Sequence, residues 1–473
     1  MTRRSVGGAG DPGEDAPVTP AQARAAQALW RAGAAVLETG IPGAGEVTRA
    51  GLVRAAHDAR AAGLHRAATA AIRVVEHLRA VSTEDPAFRL DDLVGDLSEL
   101  LSVAHRLRQP QARLSSALRG TARREYRPAA GARLYGLCVE PIAAASGYAG
   151  AVTLLADDGG DIWQVSTVVP GGADVARFAA RRPVPVGEVG LSHADLGRAG
   201  LLASTMRASA DGRISGGRGT QAVAAEGVSW WDPPLDRLWR RPFADQIERY
   251  LAGLEAPPAQ RPAVAGLLFL DAVLTGASGG GVGLLAAGRR LVAVAAHDSP
   301  ELSYVDNLRL LARTVGATVR LVARPVGRRI APIAVAAPWL PQPYGGHVDL
   351  GLDRLRPADL PAPRPVPPSD AGAAPSEIDA APPLRPLRRR LERAVEGGRA
   401  AVPGDRNEVE HMRVFLPTAS ELAQRLETAA QARPPSDEFA QAWLAAATYL
   451  HAAGRRAERD DWLRPESGRA DRG

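Results

Sequence analysis

The sequence contains no lysine, so all 58 of its basic residues are arginine. Without lysine the chain can form neither the phosphate-binding lysine of a P-loop nor a lysine Schiff base, which excludes Walker-type ATP hydrolysis and pyridoxal chemistry. The formal net charge is +6 and the sequence pI is about 10.0, a value set by arginine, whose side chain stays protonated. This balance is compatible with an acidic partner but does not require one.

Cysteine, aromatic residues and long apolar runs are also scarce. Cys138 is the only cysteine, which excludes an intramolecular disulfide and a cysteine-based zinc site. Aromatic residues make up 4% of the chain, so its cores must be built from small aliphatic side chains. No uncharged apolar run approaches the roughly 18 residues that span a bilayer, and the basic N-terminus lacks the apolar segment of a signal peptide. We therefore expect a cytoplasmic protein without a membrane segment.

The residues that are present predict an α+β protein of several domains. A length of 473 residues suggests about two to four domains. Residues 1–18, rich in Gly, Pro and charge, predict a disordered tail. Residues 19–127 predict a helical bundle, in which Thr19 is a helix N-cap followed by Pro20 and apolar residues recur at three- and four-residue spacing.

Residues 128–256 predict a β unit with a trailing helix over Trp230–Leu254. Strands are expected at 133–143, 151–156, 161–169, 201–208 and 220–225. Asp157-Asp158-Gly159-Gly160 predicts a hairpin between the second and third strands, and Ser192 begins a short helix between the third and fourth. Three strands, a helix and two strands is the order of an OB-type barrel, so the unit is expected to be OB-like; a generic antiparallel sheet capped by a helix is the alternative.

Three further regions complete the chain. Residues 257–336 predict a second β-rich unit, whose pattern of runs and turns suggests a distant repeat of the first. Residues 337–383 are Pro-rich and predict an extended linker. Residues 384–473 predict C-terminal helices, of which the last two form an amphipathic helical hairpin.

The OB-like unit contains the candidate binding residues. An OB barrel binds single strands on the face of its second and third strands and on the adjoining loops. Tyr148 and Trp163 are the candidates for base stacking, and Arg207, Arg213 and Arg218 are the candidates for phosphate contacts. The alternative is that Trp163 belongs to the core and that the arginines solvate a loop.

Two other groups of residues have both a functional and a structural interpretation. Ser192, His193 and Asp195 are the residue types of a hydrolase triad, but neighbours along a chain cannot form that spatial relay. Helix capping by Ser192, with Asp195 in the first turn, is the better interpretation. The aromatic run WWDPPLDRLWRRPF, which begins at Trp230, favours either packing against the β unit or an exposed partner-binding face.

The segments RLYGLCVEPIAAASGYAGAVTLLADDGGDIWQVSTVVPGG and LSHADLGRAGLLASTMRASADGRISGGRGTQAV resemble a region of the actinobacterial SWIM zinc-finger family, and the resemblance covers about residues 20–250. It implies a genomic setting beside MoxR-type AAA ATPases and von Willebrand A-domain proteins, and hence a role in an assembly or chaperone-like system. A SWIM site needs Cys-x-Cys and Cys-x-His ligands. This chain lacks them, so it resembles the non-zinc region of the family and no zinc ligand is carried over.

Together these observations predict a non-enzymatic adaptor that acts through protein–protein contacts. The expected partner is a MoxR-type AAA ATPase or an A-domain protein. A nucleic-acid-binding protein that uses the OB-like unit and its arginines is the alternative. No acid–base pair indicates an enzyme, and we expect neither a cofactor nor a metal ion.

Overall fold

The computed structural model of the chain describes residues 15–85, 88–121, 126–129, 131–144, 147–209, 211–216, 220–255, 261, 265–362, 382–404, 406–433 and 437–464. Residues 1–14, most of the predicted disordered tail, lie outside these ranges, as does Arg218.

Thirteen helices and fourteen strands lie within the described ranges, which confirms the predicted α+β class. The helices are α1 (Pro20–Gly43), α2 (Glu46–Ala61), α3 (His65–Ser82), α4 (Leu90–Leu107), α5 (Ser116–Arg119), α6 (Ala173–Ala180), α7 (His193–Leu196), α8 (Phe243–Glu255), α9 (Tyr304–Leu311), α10 (Arg385–Gly397), α11 (Arg406–Phe415), α12 (Pro417–Gln431) and α13 (Asp437–Leu463). The strands are β1 (Ala16–Pro17), β2 (Arg113–Leu114), β3 (Arg127–Ala129), β4 (Ala132–Ala144), β5 (Tyr148–Asp157), β6 (Ile162–Pro170), β7 (Gly200–Ala208), β8 (Gln221–Ala225), β9 (Leu268–Ser278), β10 (Gly281–Ala286), β11 (Arg289–Ala293), β12 (Thr318–Val326), β13 (Arg329–Ala336) and β14 (Val348–Asp349).

The chain divides into two compact units. Residues 1–123 and 381–456 form the helical unit, and residues 124–380 and 457–473 form the barrel unit. The predicted C-terminal helical region is confirmed, and it contains the four helices α10–α13. Its residues up to 456 belong to the helical unit, not to a separate domain.

One hydrophobic core explains why the first and last helices share a unit. Trp30 of α1, Leu391 of α10 and Trp443 of α13 are fully buried in the same cluster. The Trp443 indole N–H also donates to the Leu391 carbonyl at 3.2 Å. Leu387, Leu391 and Ala394 lie on one face of α10 at helical spacing, and this face completes the bundle.

Helix α1 begins as predicted and is kinked at a glycine near its C-terminal end. Thr19 Oγ1 accepts from the Gln22 N–H at 3.3 Å, and the Thr19 N–H donates to Gln22 Oε1 at 3.0 Å, so both halves of a capping box are present. Near the other end, Gly40 has φ 65°. A Cβ at this position would collide with the backbone of Gly398, so only glycine fits here.

The predicted OB-like unit is a closed barrel, here called the first barrel. Strand β4 pairs antiparallel with β5 and β7, β5 with β6, and β7 with β8. The ring closes at a parallel bridge between Gln164 of β6 and Arg213, where the Gln164 N–H donates to the Gly212 carbonyl and the Ile214 N–H donates to the Gln164 carbonyl, both at 2.9 Å. Helices α6 and α7 come between the third and fourth strands, so the order is that of an OB fold.

The second β-rich unit repeats this order and is here called the second barrel. Strand β9 pairs antiparallel with β10 and β12, β10 with β11, and β12 with β13. Strands β11 and β13 are parallel at Ala293 and Ile330, which closes the ring. Helix α9 again precedes the fourth strand, so the suggested distant repeat corresponds to a second OB-like barrel.

The helices of the first barrel differ from the prediction in two places. Helix α6 lies between the third and fourth strands, where the sequence predicts only the short helix that Ser192 begins. The continuous helix expected over Trp230–Leu254 is wrong: a turn region with a 3₁₀ segment at Leu235–Leu238 is followed by α8. Pro234 and Pro242 lack the N–H that an interior helical position donates, so the helix can begin only after them.

The predicted linker at residues 337–383 is wrong for residues 337–362, which are folded. Val348 and Leu350 are fully buried, and β14 pairs with β13. Asn307 of α9 holds the segment through Nδ2 hydrogen bonds to the carbonyls of Leu350 (2.8 Å) and Asp353 (2.9 Å). The high proline content predicted a linker, although the apolar residues Val348 and Leu350 anchor this segment in the core. Residues 363–381 lie outside the described ranges.

Candidate functional site

Two tryptophans pack between the first and second barrels, in a layer here called the barrel seam. Trp230 and Trp239 are almost fully buried, with ring centroids 4.7 Å apart. The Trp230 indole N–H donates to the Leu137 carbonyl of β4 at 3.0 Å, and the Trp239 indole N–H donates to the Leu321 carbonyl of β12 at 3.2 Å. Each ring is therefore fixed to a different barrel, and most of the aromatic run packs as the structural interpretation predicted.

The barrel seam covers the outer face of β5. Val152, Leu154 and Ala156 alternate along this strand and are buried in the same cluster as Trp230 and Trp239. In an OB barrel this face, on the second strand, forms part of the usual ligand surface. That part of the predicted single-strand platform is closed.

Tyr148 and Trp163 lie at opposite ends and on opposite faces of the β5–β6 hairpin. Trp163 pairs with Leu155, which lies seven residues from Tyr148 along β5. Seven residues of a strand span about 23 Å, and an odd number of residues places the side chain on the opposite face. Tyr148 is 50% exposed. Trp163 packs against the interior of the first barrel and donates its indole N–H to Asp157 Oδ2 at 2.9 Å. The two rings therefore do not form one stacking surface.

The two described candidate arginines lie near the closing edge of the first barrel. Arg207 of β7 donates through Nη2 to the Tyr126 carbonyl at 2.6 Å, and its own carbonyl accepts from the Ser215 N–H at 2.8 Å. Arg213 lies in the segment that closes the ring beside Trp163. The structure thus brings Trp163, Arg207 and Arg213 to one edge and leaves Tyr148 at the far end of the hairpin.

Ser192 caps α7, which confirms the capping interpretation. Ser192 Oγ accepts from the Asp195 N–H at 3.1 Å. The cap directs His193 into the first barrel, where its imidazole is fully buried between the hydroxyls of Thr153 (2.8 Å from Nδ1) and Thr167 (2.9 Å from Nε2). Burial lowers the pKa of His193 from 6.5 to about 4, so the ring is neutral at pH 7 and acts as a core residue.

A pocket of about 280 Å³, here called the Trp231 groove, opens on the outer face of the second barrel. Its floor contains Thr318, Val273 and Leu285, which lie directly opposite one another on β12, β9 and β10. Trp231 and Pro338 line it from the segments that precede and follow the barrel. The floor is rigid because all three of its strands are paired on both edges.

Arg320 holds Trp231 in place. The Arg320 guanidinium lies 5.3 Å from the centroid of Trp231 and 5.2 Å from that of Trp239, within the range of a cation–π contact. Its Nε donates to Asp271 Oδ1 at 2.9 Å, and its Nη1 donates to the Trp230 carbonyl at 2.5 Å. One guanidinium thus joins the groove to the buried aromatic layer.

The groove exposes apolar surface and a carboxylate. Trp231 is 39% exposed and Leu285 is 44% exposed. The Asp271 side chain is 59% exposed, whereas that of Arg320 is 14% exposed. Among the described residues, the Trp231 indole N–H has no hydrogen-bond acceptor. The groove therefore offers an incoming ligand a partly exposed tryptophan and a carboxylate that is paired with Arg320.

A second polar cluster joins the barrels but is occupied by its own members. Arg198, which follows α7, donates to Asp349 Oδ2 at 3.3 Å and to Asp353 Oδ2 at 2.7 Å, and Asp349 Oδ1 accepts from the Val139 N–H at 2.9 Å. Burial alone would raise the pKa of Asp349, but the facing His347, Arg198 and the Val139 N–H outweigh it and lower that pKa. Burial and the Asp349 charge raise the pKa of Asp353. This cluster, here called the structural lock, is occupied by its own members and stabilises the contact between the two barrels.

A binding role for Trp231 was not predicted from the sequence, although the sequence contains two indications that its side chain is exposed. Neighbouring side chains in non-helical backbone point in different directions, so Trp230 and Trp231 could not both pack into one core. The Pro-Pro pair that follows argued against the helix that was expected there. Together, the different side-chain directions and the Pro-Pro pair predict that either Trp230 or Trp231 remains exposed.

Over the part of the chain that the structure describes, no three His, Cys, Asp or Glu side chains are placed to hold a metal ion. No helix within the described ranges combines the length and apolar character needed to cross a bilayer. Comparisons of the chain with protein-family models, curated protein sequences and solved structures give no match.

Proposed function

We propose that this protein is a non-enzymatic binding protein that docks a protein partner in the Trp231 groove. The observation that carries the proposal is a partly exposed tryptophan, held by Arg320, above a floor that contains Val273 and Leu285. Aromatic anchors that fill pre-formed pockets supply most of the energy of protein–protein binding.

The paired strands that form the floor of the Trp231 groove also favour binding. Val273 and Leu285 lie on paired strands of a closed ring, so binding does not require the floor to become ordered. Arg320 fixes one side of Trp231 before a partner arrives. Affinity is higher when less conformational freedom is lost on association, and a pre-arranged site of this kind loses little conformational freedom.

Nucleic acid is the weaker alternative on two grounds. The outer face of β5, where an OB barrel would hold a single strand, is buried in the barrel seam. The Trp231 groove presents Asp271, and an exposed carboxylate repels phosphate.

The resemblance to the SWIM zinc-finger family names the first partners to test. They are a MoxR-type AAA ATPase and a von Willebrand A-domain protein, acting with this chain in the cytoplasm. The proposal of a protein-docking groove is independent of either choice.

The test compares the wild-type chain with Trp231→Ala. Both full-length proteins are immobilised and incubated with lysate of the organism that encodes them, and the bound proteins are quantified by mass spectrometry. We expect at least one protein, with the ATPase or the A-domain protein as the first expectation, to be recovered by wild type and depleted about 30-fold or more by the variant, as for a binding hot spot. That protein is then purified and its direct binding is measured.

Tyr148→Ala is the matched control, because Tyr148 is an exposed aromatic residue outside the groove. Its recovered proteins should match those of wild type. The proposal fails if no recovered protein depends on Trp231. It also fails if the main ligand is nucleic acid whose affinity falls steeply with salt and is unchanged by Trp231→Ala.

A further inference from the structure

We infer that the Trp231 groove binds an extended, proline-rich segment of a partner protein, in the polyproline II conformation, with an arginine beside the prolines. The inference rests on the proposed function, since it assumes that the groove docks a protein, and it specifies the chemistry of the docked segment.

The strands of the groove exclude one common mode of peptide binding. A peptide that binds as an added strand needs a free sheet edge. Strands β9, β10 and β12 of the floor are each paired on both edges, so the groove offers the face of a sheet and no edge. A ligand must therefore bind through side chains and single hydrogen bonds.

The size of the groove argues against a helix or a cofactor. An amphipathic helix is about 10 Å wide and docks through anchors spread over several turns. The groove holds about 280 Å³, just under the roughly 300–1,000 Å³ of small-molecule pockets, and its apolar floor is centred on Val273 and Leu285. It suits a proline ring and one neighbouring side chain.

The aromatic group of the groove matches a polyproline II ligand. This conformation has no internal hydrogen bonds, so its backbone carbonyls are free to accept, and its order lowers the entropy lost on binding. Trp231 is 39% exposed and lines the groove, and no described residue accepts a hydrogen bond from its indole N–H. A single tryptophan can therefore pack on the ring and donate to the carbonyl beside it.

The charges of the groove select a basic neighbour for the prolines. The Arg320 guanidinium is largely covered and already donates to Asp271 and to the Trp230 carbonyl. Asp271 remains 59% exposed, and Asp232, next to Trp231, is also exposed. The carboxylate is thus the more exposed member of the Arg320–Asp271 ion pair, which favours an arginine on the ligand and disfavours acidic or phosphorylated segments.

The experiment measures the fluorescence anisotropy of a labelled peptide, RPLPPLP, titrated with the full-length protein. We expect saturable binding. Replacing the peptide arginine by alanine should weaken it about three- to fivefold, as for one partly exposed ion pair. Replacing the prolines by alanine should abolish it.

Protein variants locate the contacts. Trp231→Phe keeps a ring but removes the N–H, and should weaken binding about five- to tenfold. Asp271→Asn retains an acceptor for Arg320 and should remove the preference for the arginine peptide over its alanine version. Asp245→Asn, at an exposed carboxylate on α8 outside the groove, is the control and should bind as wild type does.

The results separate this inference from the proposed function. If Trp231→Ala loses a protein from lysate but no proline-rich peptide binds the wild-type chain, the inference is wrong and the docking groove stands. Equal binding by Trp231→Phe and wild type also overturns it. A dimer in sedimentation that dissociates in Trp231→Ala would assign the groove to a second copy of the chain. Oligo-dT binding that is lost in the same variant would assign it to nucleic acid, and either result contradicts the inference.

Discussion

His193 is the clearest example of a residue whose sequence context predicts its location but not its chemistry. Its neighbours Ser192 and Asp195 form the predicted cap, and that cap turns the imidazole into the first barrel. There it lies between two threonine hydroxyls and away from solvent. A buried neutral histidine makes folding depend on pH.

We expect the barrel unit to lose stability as the pH falls from about 6.5 to 4. The unfolded chain takes up a proton at His193 near pH 6.5, but the folded chain does so only near pH 4. The folded-state pKa is depressed, so the contribution to stability is complete above pH 6.5 and is lost on acidification, on the order of 3 kcal/mol in total. Urea unfolding followed by circular dichroism between pH 4 and 7.5 measures it.

His193→Gln should flatten that pH dependence, because glutamine does not titrate. His57→Gln is the control, since His57 is exposed on α2, and should keep the wild-type slope. A wild-type slope in His193→Gln would show that other groups cause the acid sensitivity.

At the scale of single elements, the helix-capping and hairpin motifs predicted the positions of helix starts and turns correctly. Thr19-Pro20 located the start of α1, and Asp157-Asp158-Gly159-Gly160 located the β5–β6 turn. Both signals are local, since they depend on φ preferences and on hydrogen bonds within four residues. The helix expected over Trp230–Leu254 is wrong because Pro233 and Pro234 cannot occupy interior helical positions.

Thr19→Ala should destabilise the helical unit by about 1 kcal/mol, since it leaves the Gln22 N–H without its cap acceptor. Thr19→Ser retains the hydroxyl and should lie within a few tenths of a kcal/mol of wild type. The free energy of unfolding in urea distinguishes the two variants. Equal loss in both would indicate that the methyl group, not the hydrogen bond, matters at this position.

At the scale of the molecule, strand order was predictable and packing between distant segments was not. The five-strand order of the first barrel follows from its turns and alternation, and the second barrel repeats it. No local pattern indicated that α10 shares a core with Trp30, or that Trp230 would cover β5. Tyr148 and Trp163 do not form one stacking surface for a different reason, because the register of the β5–β6 hairpin places them on opposite faces.

The structural lock makes a prediction at this scale. Arg198→Ala leaves the buried Asp349 carboxylate without its guanidinium, and should destabilise the barrel unit by about 3–5 kcal/mol. Adding Asp349→Asn removes the uncompensated charge and should recover part of the loss. Thermal unfolding of the single and double variants provides the comparison.

Arg459→Ala is the control for the lock. Its partner Glu248 and Arg459 itself are about half exposed, so breaking that pair should cost less than about 1 kcal/mol. A similarly small loss in Arg198→Ala would contradict a stabilising role for the buried cluster.

The central claim is that the Trp231 groove is the ligand-binding surface, and ¹⁹F NMR of the protein labelled with 5-fluorotryptophan tests it most directly. The chain has eight tryptophans, and the resonance missing in Trp231→Phe identifies Trp231. On addition of the RPLPPLP peptide, or of a partner recovered from lysate, we expect the Trp231 resonance to shift while those of the buried Trp30 and Trp443 stay in place. Saturable binding that leaves the Trp231 resonance unmoved would contradict the claim.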